Sequence, residues 1–266
     1  MFWKNYKHGR MNGICHLSVV PVRKEPSDRS EMVTQLLFGE DFEILETKNQ
    51  WRRIRIRFDD YEGWIDEKQF TEIQPEEYQN LKKAAPILTL DLLQLSLSSG
   101  VITPLLLGST LPFYVAGQFA FNNMNFSFEG NVRNCGKEYS KKTIIENAMV
   151  YLNAPYLWGG RSPFGIDCSG LTQMSYKLAG VKLYRDAVQQ SAMGNTLHLL
   201  EETVPGDLAF FDNEDGTIIH TGIILSENRI IHSSGSVRID KIDHHGIFNS
   251  ERNKYTHKLR LLKRIF

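Results

Sequence analysis

The chain is short of several things at once. It has no net charge: Lys and Arg number 31, and so do Asp and Glu. That balance gives no basic face for nucleic acid and no attraction to an anionic membrane. Its cysteines number 3, Cys15, Cys135 and Cys168. They make no disulfide framework and no CxxC pair, and no His/Cys ligand cluster accompanies them. Apolar runs are too interrupted to span a bilayer. The first ten residues lack an apolar signal core and a small-residue cleavage pattern, so the expectation is a cytoplasmic protein. A signal peptide already removed would make it periplasmic or secreted instead.

What remains is an ordinary globular composition over 266 residues, enough for two or three cores. One stretch organises the rest. Tyr156-Leu157-Trp158-Gly159-Gly160 is followed, after a short loop, by Asp167-Cys168-Ser169-Gly170-Leu171 and an apolar helical run over 171–178. Asp167 and Ser169 are good helix-cap residues. A thiol there faces unsatisfied backbone N–H groups and the positive helix end, which favours the thiolate. The plainer alternative is a buried structural cysteine.

Two strands downstream each carry a histidine. The stretch 218–225 is rich in β-branched residues and contains His220; 229–234 contains His232, and Ser226-Glu227-Asn228 turns between them. A thiol at a helix start with imidazoles on following strands suits a thiol hydrolase: one imidazole takes the proton, and a second polar group orients it.

The order Tyr-x-Trp-Gly-Gly, Asp-Cys-Ser-Gly, His-Thr-Gly-Ile, Ile-His-Ser resembles the NlpC/P60 family of cell-wall cysteine peptidases, over 137–266. The resemblance implies a papain-like α+β catalytic domain. Cys168 would be the nucleophile, His220 the general base, His232 the orienting third member, and Tyr156 a hydroxyl near the oxyanion. Val204-Pro205-Gly206-Asp207-Leu208 looks like a family signature too, a turn leading into a strand at the sheet edge. Ahead of it, 141–152 reads as a helix with Ile144, Ile145, Ala148, Met149 and Leu152 on one face.

The N-terminal part, 14–72, reads as short alternating strands with turns between, a small barrel. Pro26-Ser27, Leu37-Phe38-Gly39-Glu40, Trp51 and Glu62-Gly63-Trp64-Ile65 resemble a bacterial SH3-like domain. A linker helix starts at Pro75. Then 87–131, with strands expected at 87–90, 103–108 and 125–130, reads as a diverged second SH3-like domain. Its low polarity predicts that it packs against its neighbours. The expected architecture is therefore an α+β papain-like domain (135–266) preceded by two small SH3-like β-barrels (1–74 and 75–134).

The family resemblance implies hydrolysis of the amide between the γ-carboxyl of D-glutamate and an L-diamino acid in murein stem peptides. Two SH3-like domains ahead of the peptidase resemble the subgroup that takes short peptides with a free N-terminal L-alanine. The partner would be a murein-derived peptide, with no cofactor and no metal. An alanine ammonium needs carboxylates and a hydroxyl. Asp167, Tyr61 and Glu25, with Glu31 in reserve, are the groups proposed for it, and Ser169 and Trp158 would line the same pocket. Each has a plain alternative: Asp167 and Ser169 as caps, Trp158 and Tyr156 as core aromatics, Glu25 and Tyr61 as barrel surface. Arg185-Asp186 and Gln189-Gln190 read as surface or packing residues. His16, His198, His244, His245 and His257 stand in no motif, and the His244-His245 pair reads as a solvated turn. An open-cleft wall hydrolase, an amidase or acyltransferase on another small amide or lipid, and a non-enzymatic wall-binding protein are the competing readings. Oligomeric state is not legible.

Overall fold

The computed structural model describes residues 11–266. Residues 1–10, read above for an export signal, lie outside the described residues. Among the described residues no helix is long and apolar enough to cross a membrane.

The first unit is one seven-stranded antiparallel sheet, in the order Met32–Leu37, Val19–Arg23, Glu62–Asp66, Trp51–Ile56, Asp41–Lys48, Met11–Ile14, Thr71–Ile73. It is the N-terminal SH3-like domain. Period-two alternation places Val20, Val22, Phe42, Ile44, Ile54 and Ile56 in its core. Cys15 and His16 fall between strands, because the Cys15 backbone is taken up by the Gly39 and Glu40 backbone across the turn.

Helix α1 (Pro75–Lys83) leads to the second β unit. Its four-stranded sheet runs Val101–Leu106, Leu93–Ser98, Met124–Phe128, Gln118–Phe121, and a small pair joins Val132–Asn134 to Ile87–Thr89. The strands at 93–98 and 118–121 go beyond those expected. One face packs as its low polarity predicts. Phe38 of the first unit meets Phe119, Phe121 and Phe126 edge-on, 5.7 Å from each. Gly39 makes this docking possible: at φ +75° its backbone lies so close to Thr110 that a Cβ would stand 1.9 Å from the Thr110 carbonyl oxygen. The other face of the hairpin stays in solvent, with Leu93, Leu95, Leu97, Val101 and Ile102 exposed.

The C-terminal unit packs α2 (Lys141–Val150) and α3 (Cys168–Lys177) against a sheet. The sheet runs Asn195–Leu197, Lys254–Arg264, Leu208–Asp212, Ile218–Leu225, Arg229–Ser234, Ser236–Asp243, Gly246–Asn249. Pairing of Gly246–Asn249 with Lys254–Arg264 closes the last six into a barrel. The long C-terminal strand thus covers Leu208–Asp212, which is paired on both sides rather than forming the expected edge. Helix α2 is also rotated from the expected face. Ile144, Asn147 and Ala148 are buried, while Met149 and Leu152 are exposed. Asn147 turns inward because its amide donates to the Ser175 carbonyl at 2.9 Å and accepts from Arg133 at 3.0 Å.

A buried polar joint fixes the first domain to the peptidase unit. Arg161 forms a two-pronged pair with Glu40 at 2.8 and 2.9 Å, and Lys177 donates to the same carboxylate at 2.6 Å. Burial pushes the Glu40 carboxyl up, but the two cations more than offset it and hold it at about 2. Lys177 also reaches the Gly108 carbonyl of the second unit at 3.1 Å, so all three units meet here.

Candidate active site

Cys168 opens α3, and Asp167 is the N-cap, accepting from Gly170 N–H at 2.7 Å. The first of the two glycines before it serves the domain joint. Gly159 has φ +75°, and a Cβ there would stand 2.5 Å from the Met32 carbonyl oxygen of the SH3-like domain.

The helix start does not ionise the sulfur. Burial, followed by the Asp167 charge, pushes the Cys168 thiol up to about 12, against backbone hydrogen bonding from Thr221 and Ser169 and the Arg185 charge. Burial thus favours the thiol form of Cys168 over the thiolate that the helix start alone would favour. The Thr221 contact brings the sulfur against the strand that carries His220.

His220 and His232 face the barrel interior, in step along their strands with Ile224 and Ile230 of its core. His220 Nε2 lies 2.8 Å from His232 Nδ1, and His232 Nε2 lies 3.1 Å from Asp240 Oδ2. These contacts assign the tautomers. The carboxylate can only accept, so His232 carries its hydrogen on Nε2 and presents a lone pair at Nδ1. His220 then donates from Nε2, leaving Nδ1 with the lone pair. Burial, with His257 and His232 beside it, drives His220 well below the ordinary imidazole range, which favours the neutral ring. Arg238 holds Asp240 with both prongs, at 2.8 and 3.0 Å. Asp240 lies outside the sequence motifs; only its position on the strand after His232 hints at it.

Tyr156 is partly exposed, and burial, then the neighbouring Cys168 and Asp167, push its hydroxyl up to about 12. It stays a hydrogen-bond donor. Trp158 is 59% exposed at the cleft, and its indole N–H donates to Glu31 Oε1 at 2.8 Å.

The cleft beside Cys168 has a volume of ≈ 710 Å³ and is walled by both the peptidase and SH3-like domains. Tyr61, Glu31, Trp158, Ser169 and Asp186 line it. Glu25 is not among its lining residues; it stands exposed on the loop, its backbone N–H bonded to Ser30 Oγ at 2.9 Å. The acid that this loop turns to the cleft is Glu31. Asp167 is present but already occupied. Arg185 grips both its oxygens, at 3.0 and 2.6 Å, and Gly159 N–H and Gly170 N–H take the remaining positions. Ser169 accepts from the same guanidinium at 2.8 Å. Arg185 is thus a buried strut, not a surface residue. Asp186, next to it, faces the cleft and accepts from the Tyr61 hydroxyl at 3.2 Å. Gln190 is buried and bonds the Ser169 carbonyl at 3.0 Å, a packing role, while Gln189 lines the cleft. His244 pairs with Glu201 on the exposed surface at 2.9 Å, and His245 is likewise exposed.

A thiol at a helix start, a neutral imidazole base and an imidazole–carboxylate support on adjoining strands define a cysteine peptidase with a papain-like catalytic domain. Residues 153–257 match the NlpC/P60 family, and residues 22–70 match the bacterial dipeptidyl-peptidase Sh3 domain. The catalytic unit is an NlpC/P60 domain joined to that SH3 domain. The chain is 28% identical over 234 residues to the gamma-D-glutamyl-L-lysine dipeptidyl-peptidase of Bacillus cereus, covering 80% of this chain and 70% of that protein. It is 26% identical to dipeptidyl-peptidase 6 of Lysinibacillus sphaericus, covering 88% of this chain and 92% of that protein. The crystal structure of an NlpC/P60 family protein from Bacillus cereus shares the fold, with a TM-score of 0.81 over 96% of this chain and 99% of that chain, at 20% identity.

Proposed function

We propose that this peptidase hydrolyses the amide between the γ-carboxyl of D-glutamate and an L-diamino acid, in short murein peptides that carry a free N-terminal L-alanine. The observation that carries the reading is the acidic end of the cleft. Glu31 from the SH3-like domain and Asp186 from the peptidase domain face it, with the Tyr61 hydroxyl between domains. Asp167 is neutralised by a buried pair with Arg185, whereas Glu31 has only the exposed Lys24 at 3.3 Å to give up, so Glu31 and Asp186 are the acids proposed for an ammonium. The names of the relatives support the bond and the dipeptide product. The SH3-like wall supports short substrates, because a long glycan chain needs an open cleft. Such selection suits recycling of released peptides.

In this reading the Cys168 sulfur attacks the γ-carbonyl as His220 Nδ1 takes its proton. The oxyanion is met by the Cys168 backbone N–H at the helix start and the Tyr156 hydroxyl. His220 then protonates the leaving amine, and water, deprotonated by the same imidazole, cleaves the thioester. His232 and Asp240 hold the ring and spread its transient charge.

Incubation of the chain with L-Ala-γ-D-Glu-L-Lys and with L-Ala-γ-D-Glu-diaminopimelate tests this, beside their N-acetylated forms, intact sacculi and a Cys168→Ala control. Release of L-Ala-D-Glu from a free-amine peptide alone supports it. Equal cleavage of the acetylated peptides refutes the ammonium pocket, and digestion of sacculi indicates an open-cleft wall hydrolase.

A further inference from the structure

The barrel end that holds the catalytic imidazoles contains another that the peptidase chemistry does not use. His257, on strand Lys254–Arg264, stacks on His220 with ring centroids 4.0 Å apart and lies 5.7 Å from the His232 ring. One ring nitrogen from each of His220, His232 and His257 lies within 4.8 Å of the others.

Hydrogen bonds determine which nitrogens are free. His232 gives its Nε2 hydrogen to Asp240, so Nδ1 holds a lone pair. His257 Nδ1 is 2.9 Å from Thr256 Oγ1, and that hydroxyl is directed at the Ile247 carbonyl, 3.4 Å away. The hydroxyl oxygen therefore accepts from His257 Nδ1, and His257 Nε2 keeps the lone pair. His220 contributes Nε2, which carries the hydrogen given to His232 Nδ1, so coordination requires this bond to break and the hydrogen to leave Nε2. A carboxylate behind one imidazole and a hydroxyl behind another are the outer partners that orient metal-bound histidines.

The spacing is within reach of coordination. Zinc–nitrogen distances of about 2.0–2.1 Å in a tetrahedral site put ligand nitrogens roughly 3.3 Å apart. The His220–His232 contact of 2.8 Å must open slightly, and the outer nitrogen, now within 4.8 Å, must close in. His257 is half-buried, and coordination requires its ring, now stacked on His220 at 21° between planes, to turn its Nε2 edge out of the stack. A cavity of ≈ 380 Å³ reaches His232, Asp240 and His257 without passing Cys168, which lines a different cleft; Arg238, Arg252 and Lys254 also line it, so an ion entering there passes three cations.

We propose that His220, His232 and His257 form a binding site for a divalent transition-metal ion of the zinc class, and that its occupancy reversibly stops the peptidase. Three imidazole nitrogens and a water complete the tetrahedron. Coordination at His220 Nε2 moves the hydrogen of that ring to Nδ1. The nitrogen that should take the Cys168 proton is then already protonated, and His232 no longer supports it. The inhibitory effect rests on His220 being the base; the binding itself does not.

The test therefore has two arms. Cys168→Ala, which removes the thiol as a competing ligand, is titrated with Co2+ and followed by visible absorption. The expected result is one Co2+ per chain with the intense bands of a tetrahedral site, displaced by Zn2+. His257→Gln on that background binds at least ~10-fold more weakly, and Thr256→Val weakens binding while leaving the fold, checked by circular dichroism, unchanged. In the active chain, Zn2+ inhibits cleavage of L-Ala-γ-D-Glu-L-Lys, a chelator restores it, and His257→Gln needs at least ~10-fold more Zn2+. Absence of the cobalt spectrum in Cys168→Ala overturns the site. So does equal zinc sensitivity of the His257→Gln chain, which would put the ion on the Cys168 sulfur. Should the peptide not be cleaved at all, the cobalt arm still decides the site, and the substrate reading alone falls.

Discussion

Replacing Glu40 with Gln removes one negative charge from between Arg161 and Lys177 while keeping the side-chain volume. The surroundings leave the cations few other partners. Arg161 is fully buried and Lys177 nearly so. Breaking such a buried pair by removing one partner costs about 3–5 kcal/mol. Proton linkage gives a similar figure. The Glu40 carboxyl is lowered from 4.5 to about 2, and at 1.36 kcal/mol per unit that is roughly 3 kcal/mol. The sign follows from the depression: this stability is fully present above 4.5 and is lost as pH falls through about 2. For a chain of this size, at 2–4 °C per kcal/mol, Glu40→Gln should melt roughly 6–20 °C lower near neutral pH. Thermal unfolding followed by circular dichroism reads this, for both chains, at neutral pH and near pH 2. The gap should narrow at the acid end, where the native carboxylate is itself about half protonated. A neutral-pH gap below about 2 °C, or a gap of the same size at both pH values, would refute the claim that this ion cluster holds the domains together.

Other consequences are as direct. Asp240→Asn replaces a group that can only accept with an uncharged amide that can also donate, so the His232 tautomer is no longer fixed and kcat should fall at least ~10-fold with KM little changed; an unchanged kcat would take Asp240 out of the relay. Asp186→Asn removes a charge from the ammonium end, and Tyr61→Phe removes the hydroxyl bonded to it. Each should raise KM by roughly 10-fold and leave kcat nearly intact, which initial-rate kinetics on a free-amine peptide would check. Gly159→Ala forces a left-handed backbone and a Cβ into the Met32 carbonyl, so it should destabilise the chain by at least ~1 kcal/mol in urea unfolding; a neutral result would contradict the close domain approach.

The parts of the site that are legible in the sequence are those set by local signals. A cap, a small residue and an apolar run mark the start of α3, and β-branched runs mark the strands of His220 and His232. What the sequence hides depends on chain segments that meet only in the fold. Glu25 and Glu31 lie on one polar loop, and docking of Trp158 against Glu31 decides which reaches the cleft. Asp186 and Arg185 look like a charged surface pair until Asp167 is seen to bury one and Tyr61 to engage the other. His257 stands in no motif, because barrel closure by the C-terminal strand is what brings it to His220. The thiolate expected from the helix start is overruled by burial beside Asp167, a tertiary effect that cap chemistry does not contain. The leucines of the 93–98 strand alternate as a buried strand would, yet that face stays open to solvent.

The most direct measurement is a rapid acid quench of the chain with L-Ala-γ-D-Glu-L-Lys during turnover, followed by mass spectrometry of its peptides. The account predicts an L-Ala-D-Glu acyl group, linked through the γ-carbonyl, on the peptide containing Cys168, and none in Cys168→Ala. Turnover with no adduct on that peptide, or turnover that survives the loss of the thiol, would contradict it.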